Sequence, residues 1–350
     1  MLGSRECRER SRISKGRHVF SVIIPTYNRL NTLLECLEAL ENLEGEPGFF
    51  EVIVVDMGST DGTWQRLLDL RYRYSLEMLR VDHGGACRAR NGGADRAKGE
   101  WLVFTGDDVL PEHEWLKKAT EHIEFHPELD LLEGLIVDRA SRRPLRRFEG
   151  GRIPSFPPLN LFVKKTAFER LGGFNQSFDD PELHLQFRGD ADLGMRLLDA
   201  GGKVALASDV LVLRDGNFTT PGDLFRQMRL HIFDALLYRC HPFRFRQIIE
   251  VKNLFGLPVR RLQHIISLVY GTAFAWCLTA LLGGRLYEAF SALLAAAVCG
   301  LLFRYKYQGL RALQIYRVPE TLGFLAAPLV YLWSVVHGAV RYRAPGVLFP

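Results

Sequence analysis

The chain has 350 residues, a formal net charge of +5 and 47% hydrophobic residues, enough for about two globular domains. Its six cysteines (Cys7, Cys36, Cys87, Cys240, Cys277 and Cys299) form no CxxC pair and no framework spacing. That excludes a disulfide scaffold and a structural zinc site, and places the soluble part in a reducing, cytosolic compartment. The first residues form a basic arm (Arg5, Arg8, Arg10, Arg12, Lys15, Arg17) without the apolar core of a secretory signal. Such an arm is either disordered or drawn to anionic lipid heads.

Val19 to Pro25 is a buried-strand run stopped by proline, followed by the donor-rich loop Thr26-Tyr27-Asn28-Arg29. Leu33, Leu34, Leu37, Ala39 and Leu40 recur at helical spacing, and Pro47 with its flanking glycines ends that helix. Glu51 to Asp56 is a second buried strand ending in an acid. Gly58 to Thr63 is a turn, Trp64 to Leu70 a helix and Met78 to Val81 a third strand. After the turn at Gly84-Gly85, Ala86 to Ala97 reads as a helix despite Gly92 and Gly93, and Trp101 to Thr105 as a fourth strand. Strand and helix alternate over short links, the pattern of βαβ units and a mostly parallel sheet in an α/β fold.

The middle is less regular. Glu112 to Phe125 reads as a helix, Leu131 to Val137 as a strand, and Arg142 to Pro158 as a mobile loop rich in Arg, Gly and Pro. A strand from Asn160 to Lys164, a short helix to Leu171 and a Gly172-Gly173-Phe174 turn follow. Asp190 to Ala200 reads as a helix stopped by Gly201-Gly202, Lys203 to Ala207 as a strand, and Pro221 to Tyr238 as one long helix.

The last third changes solvent. Ile265 to Gly284 is about as long as a bilayer core requires; Ala289 to Phe303 and Thr321 to Val340 are further candidates, the last interrupted by Pro328 and His337. Arg260, Arg261, Arg304, Lys306, Arg311 and Arg317 lie on one side of the first two segments and Arg285 on the other, which predicts a cytoplasmic catalytic part. His241 to Arg261 alternates basic and apolar residues, as in a segment lying on a membrane surface.

Gly106-Asp107-Asp108 follows the fourth strand, where an open α/β sheet holds its ligand. Two adjacent acids there are either a solvated turn or oxygen donors for a hard cation that holds a diphosphate. Asp56 ends a strand on the same rim, where it either caps its own turn or accepts from a base or ribose. Arg90 is either a surface cation or a phosphate contact. Asp190, near a helix start, is a candidate general base.

Ser21-Val-Ile-Ile-Pro-Thr-Tyr-Asn-Arg29, Glu51 to Thr63, Ala89-Arg-Asn91, Ala97-Lys-Gly-Glu100 and Phe104 to Pro111 stand in order and at the usual spacing of family 2 glycosyltransferases. The chain resembles that family from about Phe20 to Pro242. The resemblance implies a GT-A fold, a Rossmann-like mixed sheet flanked by helices, over residues 19–240. A basic arm (1–18) precedes it. A juxtamembrane segment (241–262) and an all-α membrane domain (263–350) with two or three hydrophobic helices follow. It implies that Pro25, Thr26 and Asn28 line the nucleotide pocket, that Asp56 reads the base, and that Arg90 lies near the base or diphosphate. Asp107 would contact the ribose side and Asp108 would bind Mn2+ or Mg2+. Gly172, Gly173 and Phe174 would border the sugar and acceptor, Asp190 would be the base and Asp192 would support its loop.

The sequence departs from the family where the first of three acids is Gly106 and where Gly189 precedes Asp190, which leaves Asp192 as a rival for the base. Arg214 stands near the place of a further metal-binding histidine and can take over some phosphate charge. The expected activity is inverting transfer from a nucleotide sugar, a UDP-sugar favoured, to a lipid-linked or cell-envelope glycan at the cytoplasmic face of an inner membrane. The chain would be multi-pass, with membrane lipids as partners and nucleic acid not among them. A polyprenyl-phosphate sugar synthase and a degenerate nucleotide-binding membrane scaffold are the alternatives.

Overall fold

The computed structural model describes residues 19–45, 48–82, 84–145, 156–180, 185–215, 221–254, 257–260, 262–308 and 318–348. The basic arm, residues 146–155 of the expected loop, and Arg261, Arg311 and Arg317 lie outside them. The chain divides into two compact units. One comprises Met1–Pro181 with Arg196–Asp215, the other Glu182–Met195 with Gly216–Pro350.

The first unit is built on a mixed eight-stranded sheet. Its strands are β1 (Phe20–Thr26), β2 (Phe50–Asp56), β3 (Ser75–Arg80), β4 (Trp101–Phe104), β5 (Val109–Pro111), β6 (Leu131–Asp138), β7 (Leu161–Lys164) and β10 (Val204–Arg214). Two-residue strands β8 (Asp179–Asp180) and β9 (Leu185–Gln186) fall between β7 and β10 in sequence. The sheet order is β3-β2-β1-β4-β7-β6-β10-β5. β3, β2, β1 and β4 run parallel, β7 is antiparallel to both β4 and β6, and β5 is antiparallel to β10. The order reverses between β1 and β4, so the carboxyl ends of these strands frame a crevice.

β1 and β2 are buried along their whole lengths, which is why they read as continuous apolar runs rather than alternations. β3, at one edge, is half exposed and carries Glu77 and Arg80; an edge blunted by charge resists pairing with another chain. On one face of the sheet, Phe20, Val22 and Ile24 join Leu33, Cys36, Leu37 and Leu40 of helix α1 (Leu30–Glu41) in one core cluster. The i, i+3, i+4, i+7 spacing of those four helix residues makes the stripe. α2 (Thr63–Leu68) follows β2. α3 (Ala86–Arg96) meets β1 through Gly93, where a Cβ would come within 2.6 Å of the Ile23 side chain. Gly93 inside this helix is thus a packing requirement. α4 (Trp115–Phe125) and α5 (Lys165–Arg170) complete the set around the sheet.

One strand is additional to those expected, and two expectations need revision. Val109–Pro111 forms a strand, pairing Val109 with Arg214 and Pro111 with Val212. The strand expected over Lys203 to Ala207 continues to Arg214, through a bulge between Ala207 and Leu211. The single helix expected from Pro221 to Tyr238 is two, α7 (Pro221–Arg229) and α8 (Ile232–Cys240). Asp234 accepts from Nδ1 of His231 at 2.7 Å and from Nε of Arg188 at 2.7 Å, and the backbone tightens to i→i−3 bonds at His231, Phe233 and Asp234. Tertiary pairing of one carboxylate therefore overrides a continuous helical pattern.

α6 (Gly189–Asp199) begins in the second unit and ends in the first. The rest of the second unit is α7, α8, α9 (Pro242–Ile248), a hairpin of β11 (Val251–Leu254) and β12 (Leu257–Arg260), and three long helices. These are α10 (Leu262–Leu282), α11 (Leu286–Gln308) and α12 (Val318–Arg341). Gly338 of α12 lies so close to α8 that a Cβ would collide with the Ile232 carbonyl. Among the described residues one segment, His264–Leu282, is long and apolar enough to cross a membrane, with a mean hydropathy of 1.9 over 19 residues. The apolar part of α11, Leu286–Val298, is shorter, and α12 contains Pro328. Two or three such helices were expected. Ile265, Leu268, Val269, Trp276, Leu278, Leu281 and Leu282 leave α10 with an exposed apolar surface.

Candidate active site

The register of β1 and β2 sets Thr26 opposite Asp56 at the carboxyl end of the sheet. Both side chains are buried. Oδ1 of Asp56 accepts the Ser59 amide at 2.9 Å, so one oxygen caps the Gly58–Thr63 turn. Oδ2 is buried and has no hydrogen-bond partner among the described residues, with Arg80 Nε at 3.7 Å. Asp56 can therefore be both the cap and an acceptor for a ligand; a buried carboxylate oxygen with no hydrogen bond is costly to maintain otherwise.

Asn28 adopts a left-handed backbone, φ 52°, which asparagine tolerates better than most residues. Its amide donates to Ser59 Oγ at 2.9 Å and its Oδ1 accepts the Thr60 amide at 2.7 Å. Asn28 thus stitches the loop after β1 to the loop after β2. Asp61 accepts the Leu30 amide at 3.0 Å, satisfying one of the first donors of α1. An open hollow of about 390 Å³ lies here, lined by Asn28, Arg29, Leu30, Asn31, Thr32 and Asp61.

Across the switch point, Thr26 Oγ1 donates to Asp107 Oδ2 at 2.8 Å. Arg29 Nη1 lies 3.4 Å from Asp107 and 2.9 Å from Asp108 Oδ2. Arg214 Nη2 reaches the same Asp108 oxygen at 2.9 Å. Burial pushes both carboxyls up. For Asp107, Arg29 and Thr26 offset that only in part, and it ends above the usual carboxylate range. For Asp108, Arg214 and Arg29 outweigh burial and hold it below that range. Asp107 is buried and Asp108 is held by two arginines, so the pair is not a solvated turn. Gly106 is where the resemblance leads to an acid; a Cβ there would come within 2.9 Å of Leu159 and 3.0 Å of Asp108 Oδ1. The local packing favours glycine.

A second cluster joins two of the quoted motifs. Asn91 Nδ2 donates to the Phe174 carbonyl and its Oδ1 accepts the Phe174 amide, both at 2.8 Å. The Arg90 guanidinium lies 5.7 Å from the Phe174 ring centre, a cation–π contact. Gly172 and Gly173 both have positive φ, 73° and 74°, so the turn needs glycine twice. Arg196 donates to the Leu171 carbonyl at 2.6 Å and to the Gly173 carbonyl at 2.7 Å. Lys98-Gly99, by contrast, serves the fold. The Gly99 amide donates to Ser21 Oγ at 2.8 Å, and a Cβ there would come within 2.7 Å of the β1 backbone.

Asp190 and Asp192 belong to the second unit, at the start of α6. Asp190 is half-buried. Asp192 is buried and its Oδ1 lies 3.0 Å from His241 Nε2. Arg188, just before them, has φ 72° and pairs with Asp234. Arg29 is the residue that sequence reasoning passed over: it stands in the quoted Thr26–Arg29 loop, yet nothing local distinguishes it from a solvated cation.

Residues 21–178 match the family model described as Glycosyl transferase family 2. That segment is a glycosyl transferase family 2 domain. The glycosyl transferase domain has named relatives. The chain is 30% identical over 206 residues to Glycosyltransferase AglE of Haloferax volcanii, covering 55% of this chain and 65% of that one. It is 37% identical over 109 residues to the poly(ribitol-phosphate) beta-N-acetylglucosaminyltransferase TarS of Staphylococcus aureus, covering 31% of this chain and 19% of that one. It is 35% identical over 130 residues to a PGL/p-HBAD biosynthesis glycosyltransferase of Mycobacterium bovis, covering 35% of this chain and 48% of that one. The chain spans less than two thirds of the length of each of these three relatives. A solved mannosyltransferase of Pyrobaculum calidifontis, in complex with GDP-Man and Mn2+, superposes with a TM-score of 0.63. It is 21% identical, with 94% of each chain covered. The sheet and its flanking helices are the GT-A fold.

A divalent cation suits the donor set, since Asp107 and Asp108 are adjacent hard-oxygen carboxylates. Among the described residues no group of three or more His, Cys, Asp and Glu could hold a metal ion. The other ligands would have to come from a diphosphate and water.

Proposed function

We propose that the chain is a nucleotide-sugar-dependent, inverting glycosyltransferase. The observation that carries this is the rim formed by Asp56, Thr26, Asp107 and Asp108 at the carboxyl ends of β2, β1 and β4, within a glycosyl transferase family 2 domain. Pro25, Thr26 and Asn28 line the nucleotide pocket, Asp56 offers Oδ2 to the base, and Asp107 meets the ribose. Asp108 would hold Mn2+ or Mg2+, which supplies positive charge as the nucleoside diphosphate departs. Arg90 and the Gly172-Gly173-Phe174 turn border the diphosphate and the sugar.

Asp190 removes the proton from the acceptor hydroxyl, and Asp192, buried against His241, keeps its segment in place. Transfer that uses one base and no enzyme nucleophile inverts the anomeric centre. The exposed apolar face of α10 supports attachment to a membrane. With the family domain on the cytoplasmic side, a lipid-linked or cell-envelope glycan becomes the fitting acceptor. A UDP-sugar is the favoured donor and GDP- or dTDP-sugars the alternatives.

The test is release of nucleoside diphosphate from a panel of nucleotide sugars by the detergent-solubilised chain, with lipid-linked acceptors. Asp190→Asn is expected to bind donor and lose transfer by about 10²-fold or more. Transfer at the wild-type rate would remove Asp190 from the role of base. Chelation is expected to abolish turnover and manganese to restore it.

A further inference from the structure

Arg29 and Arg214 come from opposite ends of the first unit's sequence and meet on one atom. Arg29 follows β1. Arg214 ends β10, and its pairing with Val109 of β5 sets it beside Asp108. Each places an Nη atom 2.9 Å from Asp108 Oδ2. Two guanidinium groups so close repel each other, and the shared anionic oxygen, with Asp107 3.4 Å from Arg29, makes the arrangement favourable. Formally the two acids and two arginines sum to zero charge. A divalent cation entering alone meets two cations already on Asp108. A diphosphate entering alone meets two carboxylates. If both enter, the cation takes Asp108 and the guanidiniums turn to the phosphate oxygens, and every charge keeps a partner.

A second observation points to an anion. Arg214 Nε is buried and has no hydrogen-bond partner among the described residues, although Nη2 is engaged. A planar guanidinium with one donor satisfied and another buried without an acceptor is prepared for an oxyanion.

We propose that Arg29 and Arg214 are diphosphate-binding residues that serve as the counter-ions of Asp108 until donor arrives, so that cation and diphosphate bind as a coupled pair. This rests on the donor-diphosphate reading above. It adds Arg29 to the site beside Arg214, and assigns the two a coupling that is reciprocal by thermodynamic necessity: whatever factor the diphosphate adds to cation affinity, the cation adds to diphosphate affinity.

The experiment uses the solubilised full chain, manganese alone, and inorganic pyrophosphate. Manganese binding is read by electron paramagnetic resonance, and pyrophosphate binding at saturating manganese by calorimetry. Arg214→Met is expected to bind manganese alone about five-fold tighter or more, and to bind pyrophosphate weaker by a similar factor. Arg29→Met, at a half-exposed side chain, is expected to shift both affinities in the same directions, and it decides the matter if Arg214→Met does not fold. Manganese affinity that is unchanged or weaker in the folded variants, or pyrophosphate affinity equal to wild type, overturns the proposal. Neither readout needs sugar transfer. A chain that transfers sugar while its variants leave manganese affinity unshifted keeps the function and loses this coupling. A chain inert toward every nucleotide sugar, yet showing both shifts, does the reverse.

Discussion

Thr26 and Asp107 meet across the switch point of the sheet: the hydroxyl that ends β1 donates at 2.8 Å to the carboxylate that follows β4. Both are buried, so the bond fixes the acid at the crevice. Thr26→Val keeps the shape and removes the donor. It is expected to cost about 1–2 kcal/mol in urea unfolding, because Asp107 keeps its burial and loses a partner. Nucleotide affinity measured by calorimetry should fall with it. A variant as stable as wild type would mean that this hydrogen bond does not hold Asp107.

Asp234 anchors the second unit through Arg188 and His231, both at 2.7 Å. Burial pushes its carboxyl up, but Arg188 and His231 outweigh that and hold it well below the usual range. A carboxylate depressed in the folded state contributes stability above its unfolded pKa, near 4, and loses it as pH falls through the lower folded value. Asp234→Asn is therefore expected to cost about 2–4 kcal/mol at neutral pH, since it leaves a largely buried arginine without its partner charge. The gap should persist down to about pH 4 and close only below it. Denaturation midpoints of both forms across pH 3–8 check this; a gap that closes by about pH 6 contradicts the assignment.

Gly99→Ala tests whether the Lys98-Gly99 motif serves the fold or the donor. The new Cβ meets the β1 backbone, which cannot move aside without disturbing the Ser21 pairing. The expected loss is about 1–3 kcal/mol of stability. In the fraction that remains folded, nucleotide affinity should stay within about two-fold, since the motif touches no rim carboxylate; a selective loss of affinity at full stability would place Gly99 in the donor site.

Asn91→Leu removes both side-chain hydrogen bonds that close the Gly172-Gly173-Phe174 turn. It should raise KM for the donor sugar more than it lowers nucleoside diphosphate affinity, because the nucleotide rim does not depend on that turn. Equal losses of both would contradict the separation of the two clusters.

Much of the first unit was legible in the sequence. Val22 to Ile24, Val52 to Val55 and Leu102 to Phe104 are buried on both faces, and such strands announce themselves as unbroken apolar runs. The family motifs then located the rim. Less visible were features that depend on partners distant in sequence. Val109–Pro111 is too short to show a period, and it is a strand only because β10 pairs with it. Arg29 joins the Asp107-Asp108 cluster through acids 78 and 79 positions away. Asn91 looked like one motif residue among others, whereas it holds Phe174 over 83 positions. The break between α7 and α8 follows from Asp234 meeting Arg188, which no helical periodicity encodes.

The most direct test of the account compares wild type with Asp108→Asn for release of nucleoside diphosphate from UDP-, GDP- and dTDP-sugars in the presence of manganese. Wild type is expected to turn over at least one of them, and the variant to lose about 10²-fold or more in kcat. No release from any nucleotide sugar by the folded wild type, or equal rates for the two proteins, would contradict the claim that this rim is a glycosyl-transfer site.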